Sequence, residues 1–218
     1  MKVLYRAGDI VAVEKPAGLL SQGDRSGDPD VAKVLKAQWE AEGERVPFLA
    51  PVHRLDRNTS GVLILAASAA AARKLTEAFQ SGTVEKTYLA VVKGDPGENG
   101  RYEFPLAKDE DANQAYVSAD GRPALTLFSR RDFFGNSSLV EVRILTGRSH
   151  QIRAHFAEAR HPLLGDRKYA KKPWSEIFSR PALHAHRIRF TLPGAAPVEI
   201  ESALPDDMRA LVARLGRR

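Results

Sequence analysis

Apolar and polar positions alternate loosely over residues 2 to 14, "KVLYRAGDIVAVE", and the alternation predicts two strands, the second closed by a turn at Pro16-Ala17-Gly18. A helical period follows. Val31, Val34, Leu35 and Trp39 fall on one stripe, with Asp28 placed to cap the helix, Pro29 at its first position and Gly43 at its end. "GVLILAA", starting at Gly61, is a continuous apolar run of buried-strand length, and Ser68 opens a helix that reaches Phe79 and stops at Gly82. Strand patterns resume in "KTYLAVVKG" from Lys86, in "ALTLFSRRDFF" from Ala124 and in "LHAHRIRFTL" from Leu183. In "SSLVEVRIL", Val140, Val142 and Ile144 alternate with Glu141 and Arg143, the period of a strand with one covered face.

"SHQIRAHFAEAR" reads as a helix capped by Ser149, with Ile152, Phe156 and Ala159 towards the core. Its first turn is basic, against the preference of the helix dipole, so a compensating acid or phosphate is expected nearby. Glycine and proline in "KGDPGENGRYEFP" mark a surface loop, and a helix starting near Pro205 leads into "RLGRR" as a basic tail. Strands and helices do not alternate regularly and no repeat is visible. The expectation is therefore an α+β fold with a mixed, largely antiparallel sheet and flanking helices, in a single domain spanning residues 1 to 218.

Composition narrows the function classes. With 218 residues and 43% hydrophobic content the chain can bury a sizeable core. The absence of cysteine excludes disulfides, thiolate zinc sites and a cysteine nucleophile, and suits a cytoplasmic location. No apolar run approaches the roughly 20 residues that cross a bilayer, and charges interrupt the N-terminus every few residues, unlike a secretory signal. A net charge of +6 and a pI near 9.6 favour a polyanionic partner.

Three stretches carry candidate chemistry. "PVHRLDRNTSGVLILA" packs His53, Arg54, Asp56 and Arg57 together ahead of an apolar run. Asp56 fits either an Asx turn into its own loop or a carboxylate held ionised by neighbouring arginines, suited to nucleophilic or electrostatic work. Tyr88 fits either a core aromatic or a ring for stacking on an extruded base, with Lys86 on the same strand face. Arg148, His150 and Arg153 cluster at a helix start, either as a solvated basic turn or as a phosphate-binding one. A metal site has little support: His184 and His186 share a strand face, but His150 and His155, five apart, do not share a helix face. Serine hydrolysis has less, since "TSG" is not the G-x-S-x-G elbow.

Taken together, "HRLDRNTSG", "EKTYLAVVKG" and "ILTGRSHQIRAHF" resemble the motifs of the RluA family of pseudouridine synthases. "VAVEKPAGL", "GRPALTLF", "HPLLGDRKYA" and "LHAHRIRF" also fit, in family order over almost the whole chain. The resemblance implies the pseudouridine synthase fold with a central RNA-binding cleft. It also implies conversion of uridine to pseudouridine in structured RNA, a transfer or ribosomal RNA, without metal or organic cofactor. On it Asp56 is the essential carboxylate, whether it attacks ribose C1′, attacks uracil C6 or removes a sugar proton. Arg153 pairs with Asp56, Tyr88 stacks on the target uracil, and Arg54 fills the gap left by the flipped base. His53 shapes the motif, and His53, Arg57, Lys86, Arg148 and His150 are RNA-binding candidates. Two departures stand out. The S4-type RNA-binding domain that precedes the catalytic part in many relatives is not expected, and Ser149 replaces the usual Thr of the third motif. The expected protein is a monomer with RNA as partner, no membrane and no obligate protein partner. An RNA-binding module that keeps the fold without turnover is the alternative.

Overall fold

A computed structural model describes residues 1 to 217. In chain order the elements are β1 (Lys2–Ala7), β2 (Ile10–Lys15), α1 (Val31–Ala41), β3 (Ala50–Pro51), β4 (Ser60–Ala66), α2 (Ala69–Gln80), β5 (Glu85–Lys93) and β6 (Asn99–Tyr102). They continue with β7 (Leu106–Asp109), β8 (Gln114–Val117), β9 (Thr126–Phe133), β10 (Ser137–Ile144), α3 (Gln151–Glu158), β11 (Leu183–Phe190), β12 (Val198–Glu201) and α4 (Asp206–Leu215). The chain divides into two compact units, one of residues 1–85 and 185–203, the other of residues 86–184 and 204–218.

In the first unit the strand order is β1-β2-β4-β11, with β3 beside β4 and β12 beside β11. β1–β2, β2–β4, β3–β4 and β11–β12 pair antiparallel. β4 is buried along its whole length, which explains its unbroken apolar sequence: a strand covered on both faces has no solvent side to make polar. Val62, Ile64 and Ala66 of β4 join Leu75 of α2 with Ile188, Phe190 and Ile200 in this unit's core. Ser68 caps α2 as expected, accepting a hydrogen bond from the Ala71 N–H at 3.1 Å.

The start of α1 corrects the sequence expectation. Asp30, not Asp28, is its cap and accepts from the Lys33 N–H at 2.9 Å. The reason is tertiary: Leu20 pairs with Asp30, and its C=O takes the Val31 N–H at 3.0 Å, which fixes the entry two residues later than proline chemistry suggests. Asp28 instead forms an ion pair with Arg57 at 2.7 Å. At the other end Gly43 stands at φ +84°, with the Glu44 N–H donating to Trp39 C=O at 2.8 Å and the Gly43 N–H to Glu40 C=O at 3.1 Å. That is a Schellman cap, which glycine adopts without strain.

The second unit has the strand order β5-β10-β9-β6, its pairings antiparallel, and a separate β7–β8 ribbon. Leu89 and Val91 of β5 and Leu139 of β10 pack with Met208, Leu211 and Leu215 of α4. Arg180 fixes the start of α4 through Nε and Nη2 to the two oxygens of Asp207, at 2.8 and 3.0 Å. The segment expected as a surface loop contains β6, whose four residues pair with β9 from Asn99↔Ser129 to Tyr102↔Thr126. Glycine at position 100 is what this pairing needs, because a Cβ there would lie 2.7 Å from the Phe128 ring. Of the expected basic tail, Arg214 and Leu215 end α4, and Arg218 lies outside the described residues.

Candidate active site

The Asp56 loop is gripped by its neighbours in the first unit. Ser21 Oγ accepts from the Leu55 N–H at 2.9 Å and donates to the Leu55 C=O at 2.8 Å. Lys15 is fully buried, and its ammonium donates to three carbonyl oxygens, Leu19 at 2.7 Å, Arg57 at 2.9 Å and Pro16 at 3.1 Å. The Gly18 N–H adds a bond to Arg57 C=O at 2.8 Å. Both residues flanking Asp56 are thus tied by backbone atoms to the segment after β2. The turn is closed by the Thr59 N–H on Asp56 C=O at 2.9 Å, and Thr59 and Ser60 are buried behind it.

Gly61 serves the packing of strands. It lies inside β4 at φ +119°, where a Cβ would fall 2.1 Å from Ala185 O, so it permits close approach of β11 rather than making the turn. His53 accepts from the Ile64 N–H through Nε2 at 3.0 Å, which places the ring proton on Nδ1, and it stacks on Phe79 with centroids 4.5 Å apart. Both contacts hold the ring against β4 and α2 of the same unit. Arg57 is committed locally, donating from Nε to Gly18 C=O at 2.9 Å and from Nη1 to Asp28. Arg54 is exposed and Asp56 half-buried.

In the second unit Tyr88 is buried on β5 opposite Val142 of β10. Lys86, two residues back on the same strand side, is half-buried, and burial pushes its ammonium below the usual lysine range.

α3 departs from its expected form. Its cap is His150 in the left-handed conformation at φ +50°, with no side-chain cap bond, and not Ser149. Gln151 organises the entry instead. Its Oε1 accepts from Thr146 Oγ1 at 2.7 Å and the Arg148 N–H at 3.0 Å, while its Nε2 donates to Leu125 C=O and Thr126 Oγ1, each at 3.0 Å. The helix is buried on every side from Gln151 to Phe156 rather than along one apolar stripe, and Ala159 is its C-cap. Buried His155 accepts from Thr126 Oγ1 at Nδ1 and donates from Nε2 to Phe104 C=O at 2.9 Å. Arg148 donates from Nε to Pro123 C=O at 3.0 Å.

The acid expected beside this basic turn is Asp166. Arg153 donates to it through Nε at 2.7 Å and Nη2 at 2.8 Å, a bidentate pair with Asp166 wholly buried. The Arg153 guanidinium also lies over the Tyr169 ring at 5.0 Å. Tyr169 Oη accepts from the Ala115 N–H at 2.8 Å, donates to Ala115 C=O at 3.0 Å and sits 3.1 Å from His150 Nδ1. Asp166, Tyr169, Lys15 and Ser21 escaped the sequence reading. The first two lie in "HPLLGDRKYA", which counted towards the family resemblance without any residue receiving a role. Among the described residues no three His, Asp or Glu side chains gather as metal ligands.

The profile of the RNA pseudouridylate synthase family matches residues 9–158, a span that contains Asp56, Tyr88 and Arg153. The chain belongs to this family. As a pseudouridine synthase it is an isomerase, and its relatives match over nearly its full length. Ribosomal large subunit pseudouridine synthase D of Xanthomonas campestris is 33% identical over 230 residues, 99% of this chain and 69% of that protein. Ribosomal large subunit pseudouridine synthase C of Haemophilus influenzae is 33% identical over 225 residues, 98% of this chain and 68% of that one. Among solved structures the synthase resembles human RNA pseudouridylate synthase domain containing 4, with a TM-score of 0.82 at 24% identity, covering 98% of this chain and 92% of that one. Domain containing 1 follows with a TM-score of 0.79, also at 24% identity, covering 98% and 94%. The synthase has the pseudouridine synthase fold, an α+β arrangement.

Proposed function

We propose that this synthase isomerises uridine to pseudouridine in large-subunit ribosomal RNA, with Asp56 as the essential carboxylate. The choice of ribosomal over transfer RNA is supported by a likeness, over nearly the whole of this chain, to enzymes named for the large subunit in several bacteria. The reaction breaks the N1–C1′ bond, forms a C5–C1′ bond, releases the proton of C5 and protonates N1, so it balances without a co-reactant.

The observation that carries the role of Asp56 is the clamp on both its neighbours. Ser21 holds Leu55 and the Lys15 ammonium holds Arg57, which fixes the carboxylate's backbone before any RNA arrives. A buried side chain does not invest so many bonds in a loop that is free to move. Tyr88 stacks on the target uracil, Arg54 occupies the vacated stack, and Arg153 keeps Asp56 ionised. Lys86, Arg148 and His150 meet the RNA backbone. Arg57, bound to Gly18 and Asp28, serves the loop more than the RNA. The enzyme works in the cytoplasm as a monomer and needs no metal, organic cofactor or protein partner.

The test is pseudouridine mapping on unmodified large-subunit ribosomal RNA and on transfer RNA transcripts incubated with the purified protein. New pseudouridine in the ribosomal RNA supports the proposal, and product only in transfer RNA moves the substrate. RNA retention without product in either would favour a non-catalytic RNA-binding module.

A further inference from the structure

We propose that Asp166 and Tyr169 are positioning residues for Arg153: they hold its guanidinium in one orientation, so that its action on the reacting carboxylate is set from the loop after α3. The inference rests on the role given to Arg153 above and extends the site to a segment beyond the matched residues 9–158.

An arginine side chain has many rotamers, so a guanidinium that must act at one point has to be restrained by others. Three restraints converge here. Asp166 takes the Nε and Nη2 hydrogens as a fork at 2.7 and 2.8 Å, which fixes the plane of the group and leaves the Nη1 edge outside that fork. Tyr169 supports the face of the same plane at 5.0 Å, a cation–π contact. The ring itself cannot swing away, because its hydroxyl both accepts from and donates to the backbone of Ala115 on β8 and meets His150 at the start of α3.

Asp166 is equally restrained. It has no exposed surface, and its Oδ1 also accepts from the Lys168 N–H at 3.1 Å. Its C=O accepts from the Tyr169 N–H at 3.2 Å and the Ala170 N–H at 2.8 Å, so the acid and the ring share one turn and move together. A buried ion pair is weak evidence for stability, since its desolvation cost offsets much of its attraction. A pair with this geometry, backed by an aromatic plane, is better explained by orientation than by stability.

The experiment is a double-mutant cycle on the full chain. Turnover is read as release of C5 tritium from the ribosomal RNA transcript, alongside the Kd for the same RNA and the melting temperature. Arg153→Lys keeps the charge but not the fork, and Asp166→Asn keeps the shape but not the charge. Each is expected to lower kcat by about tenfold to a hundredfold with RNA Kd within about twofold, since a misplacement of about 1 Å costs that much. The double variant should be no worse than the poorer single one, because Asp166 acts only through Arg153. Tyr169 gives a second route that leaves the ion pair in place: Tyr169→Phe, which keeps the aromatic face but loses the hydroxyl anchor, should lower kcat measurably, and Tyr169→Leu, which loses both, should fall further, by about tenfold or more. Losses that multiply in the double variant, or an Asp166→Asn protein that melts early yet turns over normally, would overturn the proposal. Failure of the underlying reading looks different: Arg153→Ala itself would then turn over at the wild-type rate.

Discussion

At the scale of single residues, the loop around Asp56 is set by atoms that carry no chemistry of their own. Ser21→Ala would leave both the N–H and the C=O of Leu55 buried without their partner, a cost of about 1–3 kcal/mol. The expected result is a lower melting temperature together with a larger loss of turnover than of RNA affinity, and an unchanged kcat would show that the clamp does not position Asp56. Gly61→Ala is a harsher change. Its Cβ would fall 2.1 Å from Ala185 O in a conformation that L-residues avoid, so the expected destabilisation is about 3 kcal/mol or more, read by denaturant unfolding. A Gly61→Ala protein as stable as wild type would contradict that packing. His53, two residues after β3, is held by its bond to Ile64 of β4 and its stack on Phe79 of α2. Lys15 and Asp166 were not legible as parts of the site. A lysine ending a strand and an aspartate in a Gly-Asp turn look like ordinary surface residues until tertiary structure buries them.

At the scale of elements, strong periodicity was readable and termini were not. β4, β5 and β10 follow their apolar runs, and α2 begins at the Ser68 expected to cap it. α1 and α3 both begin where tertiary contacts dictate: a Leu20–Asp30 pairing for one, and the four side-chain bonds of Gln151 for the other. Short strands such as β6, β7 and β8 have only four residues each and borrow their pairing from neighbours, so their glycine, proline and charge read as loop. The burial of α3 also makes a prediction about pH. Burial holds the His155 imidazole below its usual value of 6.5, although the Phe104 C=O pulls it back up. The unfolded chain therefore takes up this proton first. The stability associated with neutral His155 is fully present above about pH 6.5 and is lost as pH falls through the folded value. His155→Gln should cost stability at pH 7.5, and its deficit relative to wild type should shrink towards pH 5. A deficit that is constant or grows on acidification would contradict this account of the buried imidazole.

At the scale of the whole molecule, the charge of +6 matters for RNA more than for folding. RNA binding should weaken steeply with salt, as log Kd against log salt concentration, because neutralised phosphates release their counterions. Salt-insensitive binding would contradict a phosphate-dominated interface. The fold class was legible because the irregular order of strand and helix patterns excludes a regular βαβ winding, and the family was legible because its motifs recur in order along the chain. The division of the chain into two units was not, since its crossings at residues 85–86, 184–185 and 203–204 fall within or beside secondary-structure elements and leave no linker signature. The central claim is that Asp56 carries the isomerisation, and the most direct test is single-turnover C5 tritium release from the RNA with wild type and Asp56→Asn. The account predicts release by the wild type and none by the variant, with RNA Kd changed by no more than a few-fold. Tritium release by Asp56→Asn at a rate near that of the wild type would contradict it.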